Sequence, residues 1–272
     1  MGTGLAVDLV LHGINTVLID ETVAILERSR AEILKNIRFA PLVNKSLPRL
    51  SVEEASEKLQ LTTNLEAVSD CDFIIENVSE KRETKEKVYR NLDIICPPEV
   101  CFGANTSCIS ITHLASFTRR PQRVIGIHFM NPVYLKSCVE AIRGFHTSDA
   151  CIQEAQTLLK QLGKEAIVVN DYPGFVSNRI SHLFMNEAAF VVQDQVAPPK
   201  DVDDIFKKCY GHTMGPLQTA DLIGLDTVVH SLDVLYQSYQ DPKFRCCPLL
   251  RKMVNAGLLG VKSGKGFYEY SR

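Results

Sequence analysis

The chain has 272 residues, about twice a typical domain length, which predicts two domains or one large α/β unit. Apolar residues make up 45% and charged residues 23%, which excludes a disordered or low-complexity chain. Basic and acidic side chains number 30 and 32, a formal net charge of −2, so no basic excess exists to neutralise nucleic-acid phosphates.

No apolar run approaches the roughly 18 residues of a membrane span. The first residues carry no basic start, apolar stretch and small-residue cleavage site of a signal peptide. Nine cysteines form no CxxC pair and no Cys/His cluster of zinc spacing. The expectation is a reduced, cytoplasmic protein with mostly buried, inert thiols and no metal.

In chain order, Met1-Gly2-Thr3-Gly4-Leu5-Ala6 opens a helical run, and residues 15–20 (NTVLID) read as a strand. A helix follows over 22–38, with Val23, Leu26, Ile33, Leu34 and Ile37 at helical spacing. Strands are predicted at 71–76, 100–104, 124–129, 138–142 and 165–169, with helices at 82–95, 111–117 and 148–162 between them. Continuous apolar strands alternating with helices predict a mostly parallel, doubly wound sheet covered on both faces. The pattern changes at Asp171-Tyr172-Pro173-Gly174. Beyond it, helices are expected at 175–195, 201–209, 221–239 and 248–256, with a strand only in the last few residues. The predicted organisation is a dinucleotide-binding domain over 1–170 and an all-helical domain over 171–272.

The chemistry-bearing residues sit where strands end. Asp20 closes NTVLID, as does the acid that hydrogen-bonds the ribose of NAD in a dinucleotide fold. Gly2 lies 18 residues before it, near the fingerprint spacing, as the last glycine of that motif. Asn105-Thr106-Ser107 follows one strand, and His128-Phe129-Met130-Asn131-Pro132 ends the next. Glu140 lies 12 residues after His128, and Asn178 stands near the start of the long helix. A carboxylate on a returning strand holds one imidazole nitrogen and leaves the other free as a base. On the residues alone, the run Glu80-Lys81-Arg82-Glu83-Thr84-Lys85 reads as a solvated helix face.

The ordered motifs ENVSE, NTS, GIHFMNP, VEAI, DYPGFVSNR, MGPLQTADLIGLD and SGKGFYEY resemble the 3-hydroxyacyl-CoA dehydrogenase family along the whole chain. That resemblance implies a Rossmann domain for NAD, a helical domain that mediates homodimerisation, and a cleft site between them. It assigns His128 as catalytic base, Glu140 as its partner, and Ser107 and Asn178 as contacts to substrate oxygens. Asn105, Glu80 and Lys85 match residues lining the nicotinamide half of the NAD site. Asp20 matches the ribose-binding acid, and Gly2 and Asn131 are counted with the cofactor site. The implied reaction is oxidation of the 3-hydroxyl of a 3-hydroxyacyl thioester. A catalytically silent relative and a dehydrogenase of a free hydroxy acid are the alternatives. The intact His128/Glu140/Ser107/Asn178 set argues against the first, and the thioester-family motifs against the second.

Three departures from the family pattern stand out. Cys108 occupies a position where many members carry a second serine; it is a small group that fills the same volume. Residues 36–49 hold one Lys and two Arg, Arg38, Lys45 and Arg49, among apolar residues, where CoA-using relatives place several lysines. That pattern suits a protein surface. It resembles members of polyketide extender-unit synthesis, which act on substrates held by an acyl carrier protein, and the reading leans to that carrier over CoA. Finally, the first strand and the first two glycines of the phosphate loop are absent. A dinucleotide fold places that strand between 15–20 and 71–76, and its loss leaves backbone groups unpaired at roughly 1–3 kcal/mol each. The expectation is that Met1 is internal to a Gly-x-Gly-x-Met-Gly pattern and that the natural chain begins upstream.

Overall fold

The computed structural model describes residues 1–270. The chain divides into two compact units, Met1–Asp171 and Tyr172–Arg272.

The first unit begins with α1 (Gly2–Leu11), β1 (Thr16–Ile19), α2 (Val23–Val43), α3 (Val52–Glu57) and β2 (Leu59–Thr62). It continues with β3 (Phe73–Glu76), α4 (Arg82–Ile95), β4 (Cys101–Ala104), α5 (Ile111–Ala115) and β5 (Val124–His128). It ends with β6 (Cys138–Arg143), α6 (Asp149–Gln161) and β7 (Glu165–Asn170). The strands form two sheets. β1 and β2 pair in parallel, and the second sheet runs β3-β4-β5-β6-β7. Pairing in the larger sheet is parallel except between β5 and β6, which run antiparallel. This is the Rossmann-type architecture that alternating apolar strands and helices predict. Its sheet is divided between β1 and β3, so each of those strands lies at a sheet edge.

Helix α1 joins the two pieces. It is apolar nearly all round, and a helix of that kind belongs inside a core. Leu5 enters the cluster of Ile125, Ile127, Val139 and the α6 residues Ile152 and Leu159. Ala6, Val7, Val10 and Leu11 enter a second cluster with Ile33, Ile37 and Ala40 of α2. Asp8 on the same helix is fully buried and meets Lys164 Nζ at 2.9 Å. That ammonium also donates to the carbonyls of Val133 (2.8 Å) and Lys136 (2.6 Å).

Two elements of the first unit escape the sequence reading. The helix predicted to stop at Arg38 runs on to Val43 and carries Pro41 inside it. Helix α3 and strand β2 follow, and Ser51 and Glu54 close a reciprocal capping box at the start of α3.

The second unit contains α7 (Ser177–Gln193), α8 (Pro199–Cys209), α9 (Pro216–Ile223), α10 (Leu225–Tyr239) and α11 (Pro248–Asn255). Its core gathers Ala189, Leu217, Val228, Leu232 and Leu250. The single helix expected over 221–239 is two helices, because Gly224 adopts φ 103° and breaks the hydrogen-bond ladder. The last residues form only isolated bridges, Gly260 to Lys265 and Lys265 to Glu269, and no strand among the described residues. Buried Asp221 explains why. Its carboxylate accepts from Phe267 N, Tyr268 N and the Tyr270 hydroxyl, each at 3.0 Å, and this spends backbone donors that a strand would need. A Cβ on Gly266 would overlap the same carboxylate.

Among the nine free cysteines, Cys96, Cys101, Cys151, Cys246 and Cys247 are buried. Burial pushes the thiols of Cys96 and Cys246 up to about 11, far from the reactive range. No helix among the described residues is long and apolar enough to cross a membrane.

Candidate active site

The site grows from the C-terminal ends of β3, β4 and β5, where an open α/β sheet binds its ligands. Antiparallel pairing puts His128, the last residue of β5, directly opposite Glu140 of β6. Both are buried, at 5% and 9% exposure. His128 Nδ1 lies 3.1 Å from Glu140 Oε2. A carboxylate only accepts, so Nδ1 carries the hydrogen, and in the neutral imidazole the lone pair is on Nε2. Ser107 Oγ lies 3.1 Å from that Nε2. Serine, imidazole and carboxylate thus form one line, with the base oriented by the carboxylate behind it.

The loop after β4 carries Ser107 and is held at each residue. Asn105 donates from Nδ2 to Asn77 Oδ1 (2.7 Å), and its Oδ1 accepts from Phe129 N (3.3 Å). Lys85 donates to the Asn105 carbonyl at 3.1 Å and to both oxygens of Glu76 at 2.9 Å. Lys85 is fully buried, so the solvated-face reading of its charged run fails at this position. Its ammonium faces Glu76 and Asn105, with a Glu80 oxygen 3.6 Å away. Burial pushes the Glu76 carboxyl above the usual carboxylate range, against the pull of the Lys85 ammonium. Glu80 accepts from Thr106 Oγ1, Ser107 N and Cys108 N.

Glu76 and Thr106 are site residues that the sequence reading missed. The signal for Glu76 is a carboxylate at the end of the buried strand FIIE, which needs a cation nearby. Lys85, nine residues later on α4, supplies it.

The dinucleotide end is built by α1 and β1. The N-cap Met1 makes no side-chain cap, and the first turn holds no acidic residue. The first-turn N–H groups and the positive end of the helix dipole are therefore left for an anion. A Cβ on Gly2 would lie 3.6 Å from Asn77 Cβ and 3.9 Å from Leu18 Cδ1, so this helix start sits beside the ends of β1 and β3. Asp20 follows β1, partly exposed, with Oδ1 accepting from Glu21 N at 2.7 Å. A bare helix start, an acid at the first strand's end and an amide-lined loop fit a dinucleotide cofactor. Asn131 is exposed in the loop after His128. Asn178 lies in the second unit, in the first turn of α7, where its carbonyl accepts from His182 Nδ1 at 3.0 Å.

Comparison with known proteins places this geometry in context. Residues 1–172 match the family model for the 3-hydroxyacyl-CoA dehydrogenase NAD-binding domain, and residues 174–270 match that for its C-terminal domain. The chain is 42% identical over 270 residues to a probable 3-hydroxybutyryl-CoA dehydrogenase of Deinococcus radiodurans, covering 99% of this chain and 96% of the relative. It is 45% identical over 219 residues to a protein of the same name from Bacillus subtilis, covering 80% and 76% of the two chains. The solved structure of an (S)-3-hydroxybutyryl-CoA dehydrogenase from Ralstonia eutropha superposes with a TM-score of 0.93 at 38% identity, covering 100% of this chain and 96% of that one. With both units matched and the likeness running through the whole chain, the protein belongs to the 3-hydroxyacyl-CoA dehydrogenase family.

Proposed function

We propose that the chain oxidises the C3 hydroxyl of a short 3-hydroxyacyl-CoA thioester, with His128 as base, Glu140 as its partner and Ser107 as a substrate contact. The observation that carries this reading is the Ser107–His128–Glu140 line, closed by two contacts of 3.1 Å. The chemistry that bound NAD would supply there is acceptance of a hydride from C3. His128 Nε2 takes the hydroxyl proton, and the Glu140 carboxylate stabilises the imidazolium that results. Ser107 Oγ, already within reach of Nε2, hydrogen-bonds the same substrate oxygen and fixes its pose. Asn178 is assigned a second substrate contact by the family resemblance. Gly2, Asp20, Glu80, Lys85, Asn105 and Asn131 are assigned to the cofactor. In the reverse direction protonated His128 is the acid.

The test is NADH formation with 3-hydroxybutyryl-CoA, the same acyl group on an acyl carrier protein, and free 3-hydroxybutyrate. The CoA ester is expected to be used best. Equal use of the free acid would overturn the thioester reading, and no turnover with any of the three would favour a silent relative.

A second reading keeps the chemistry and changes the carrier. Phe39, Leu42 and Val43 are exposed on the last turns of α2, with Arg38, Lys45 and Arg49 beside them in sequence. An apolar patch with basic neighbours supports docking of an acidic carrier protein. Charge reversal at Arg38, Lys45 and Arg49 would then raise KM for the carrier-bound substrate alone. We also propose a homodimer in the cytoplasm. Exposed Val176, Ile180, Ile205, Tyr210 and Leu222 on the helical unit support the dimer, to be checked by sedimentation.

A further inference from the structure

Strands β3, β4 and β5 end at Glu76, Ala104 and His128, and the first residue beyond each belongs to one hydrogen-bonded chain. Asn105 Nδ2 donates to Asn77 Oδ1 at 2.7 Å, and Asn105 Oδ1 accepts from Phe129 N at 3.3 Å. Asn77 Nδ2 in turn donates to the Ile75 carbonyl at 3.1 Å. The two ends of a carboxamide are told apart by what they face. Phe129 N only donates and the Ile75 carbonyl only accepts, so these backbone groups leave one orientation for both carboxamides. In that orientation the two side chains also meet each other as donor and acceptor. The chain starts beside α1, since a Cβ on Gly2 would lie 3.6 Å from Asn77 Cβ, and it ends on the residue after His128.

The backbone of Asn105 is fixed by other partners. Its N–H donates to the Glu76 carbonyl at 3.0 Å, and its carbonyl accepts from Lys85 Nζ at 3.1 Å. What remains is the rotation of its side chain, held by two unequal contacts. The 3.3 Å contact to Phe129 N lies beyond the usual N–H···O range, whereas the 2.7 Å contact to Asn77 lies at its short end. Nδ2 carries two hydrogens; one goes to Asn77, and no described residue accepts the other. We propose that Asn77 is a positioning residue for Asn105: its 2.7 Å bond holds the Asn105 carboxamide in the orientation that keeps the second Nδ2 hydrogen available to an acceptor on the dinucleotide. This rests on the assignment of Asn105 to the cofactor given above. A donor already held in place loses less freedom when its ligand arrives, and that saving appears as affinity.

The experiment is a double-mutant cycle of Asn77→Ala and Asn105→Ala, with the calorimetric Kd for NAD, KM for the thioester and the thermal midpoint measured separately. Asn77→Ala is expected to raise the Kd for NAD about 3–10-fold, the worth of one neutral hydrogen bond, and to leave KM for the thioester within about twofold. On the Asn105→Ala background the Asn77→Ala change is expected to raise that Kd no further, because its route runs through Asn105. Multiplying effects on NAD affinity would show that Asn77 acts on the cofactor by itself and would overturn the proposal. So would a lowered thermal midpoint with NAD affinity unchanged, which is the mark of a purely structural amide. Should Asn77→Ala fail to fold, Asn77→Ser keeps a hydroxyl at the strand end but is one bond too short to span the same two partners, and it must show the same rise in Kd. Near wild-type NAD affinity in Asn105→Ala alone would instead sink the cofactor reading of Asn105, which keeps the two failures distinct.

Discussion

The two ends of the first unit are built by different means. At the catalytic end, strand register does the positioning: β3, β4, β5 and β6 are paired without interruption, and His128 faces Glu140 as a register pair. At the dinucleotide end, β1 and β2 stand as a separate pair, and α1 carries the connection to the larger sheet. Ladder hydrogen bonds fix distances between neighbouring residues to a fraction of an ångström. A helix packed between two apolar clusters is fixed by burial, which is non-directional. The buried Asp8–Lys164 pair adds the direction that burial lacks, tying α1 to the residues before β7. Catalytic geometry thus rests on sheet pairing, and cofactor-end geometry on one helix and one ion pair.

The comparison can be broken most severely at the catalytic end. His128→Gln is expected to cut kcat about 10²–10⁴-fold, with NAD affinity measured by calorimetry nearly unchanged. Glu140→Gln acts on the same step, so the double variant should be little worse than His128→Gln alone. Turnover near wild type in His128→Gln would remove the histidine from the reaction.

The dinucleotide end should fail through stability instead. Lys164→Met leaves the fully buried Asp8 without its lysine partner and is expected to cost about 3–5 kcal/mol in chemical denaturation above the range where His12 is protonated. The double change Asp8→Leu with Lys164→Met should return most of that loss, since an apolar pair of similar volume avoids the desolvation. A loss below about 1 kcal/mol in Lys164→Met would show that apolar packing alone docks α1.

The smallest expected effect sharpens the same contrast by pH. The hydrogen bond to Asp8 raises the imidazole of His12 above its ordinary 6.5, against burial and the Lys164 charge. A raised folded-state value means that the folded chain holds this proton more tightly than the unfolded one. The contribution is full below about pH 6.5 and is lost as pH rises through the raised value. Stability should therefore decline over that window, and His12→Gln should flatten the decline. An unchanged slope in His12→Gln would place its origin elsewhere.

Much of this was legible in the sequence, and the gaps have physical causes. Strands such as VIGIH read clearly because both faces are buried and the apolar run is continuous. Strand β2 is only four residues, LQLT, with polar residues between apolar ones, and α3 is six residues long. Ser51 and Glu54 were the available signal, since their spacing is that of a capping box. The break at Gly224 leaves no periodic trace, because a single glycine is tolerated in a helix and only its φ of 103° decides otherwise. Lys85 read as solvated because its neighbours are charged, and the carboxylate beneath it reversed that.

By itself the sequence determined most of the strands and helices, the family, and the residue types that the chemistry needs. Those signals are local, because periodicity and motif spacing are written in adjacent residues. Only the tertiary structure decided which polar groups meet. His128 pairs with Glu140 because β5 and β6 are antiparallel in that register, Glu80 reaches Ser107 from 27 residues away, and Lys164 reaches the Val133 carbonyl from 31. Such pairings are set by the cost of burying an unpartnered charge, and that cost exists only once the chain has closed around it.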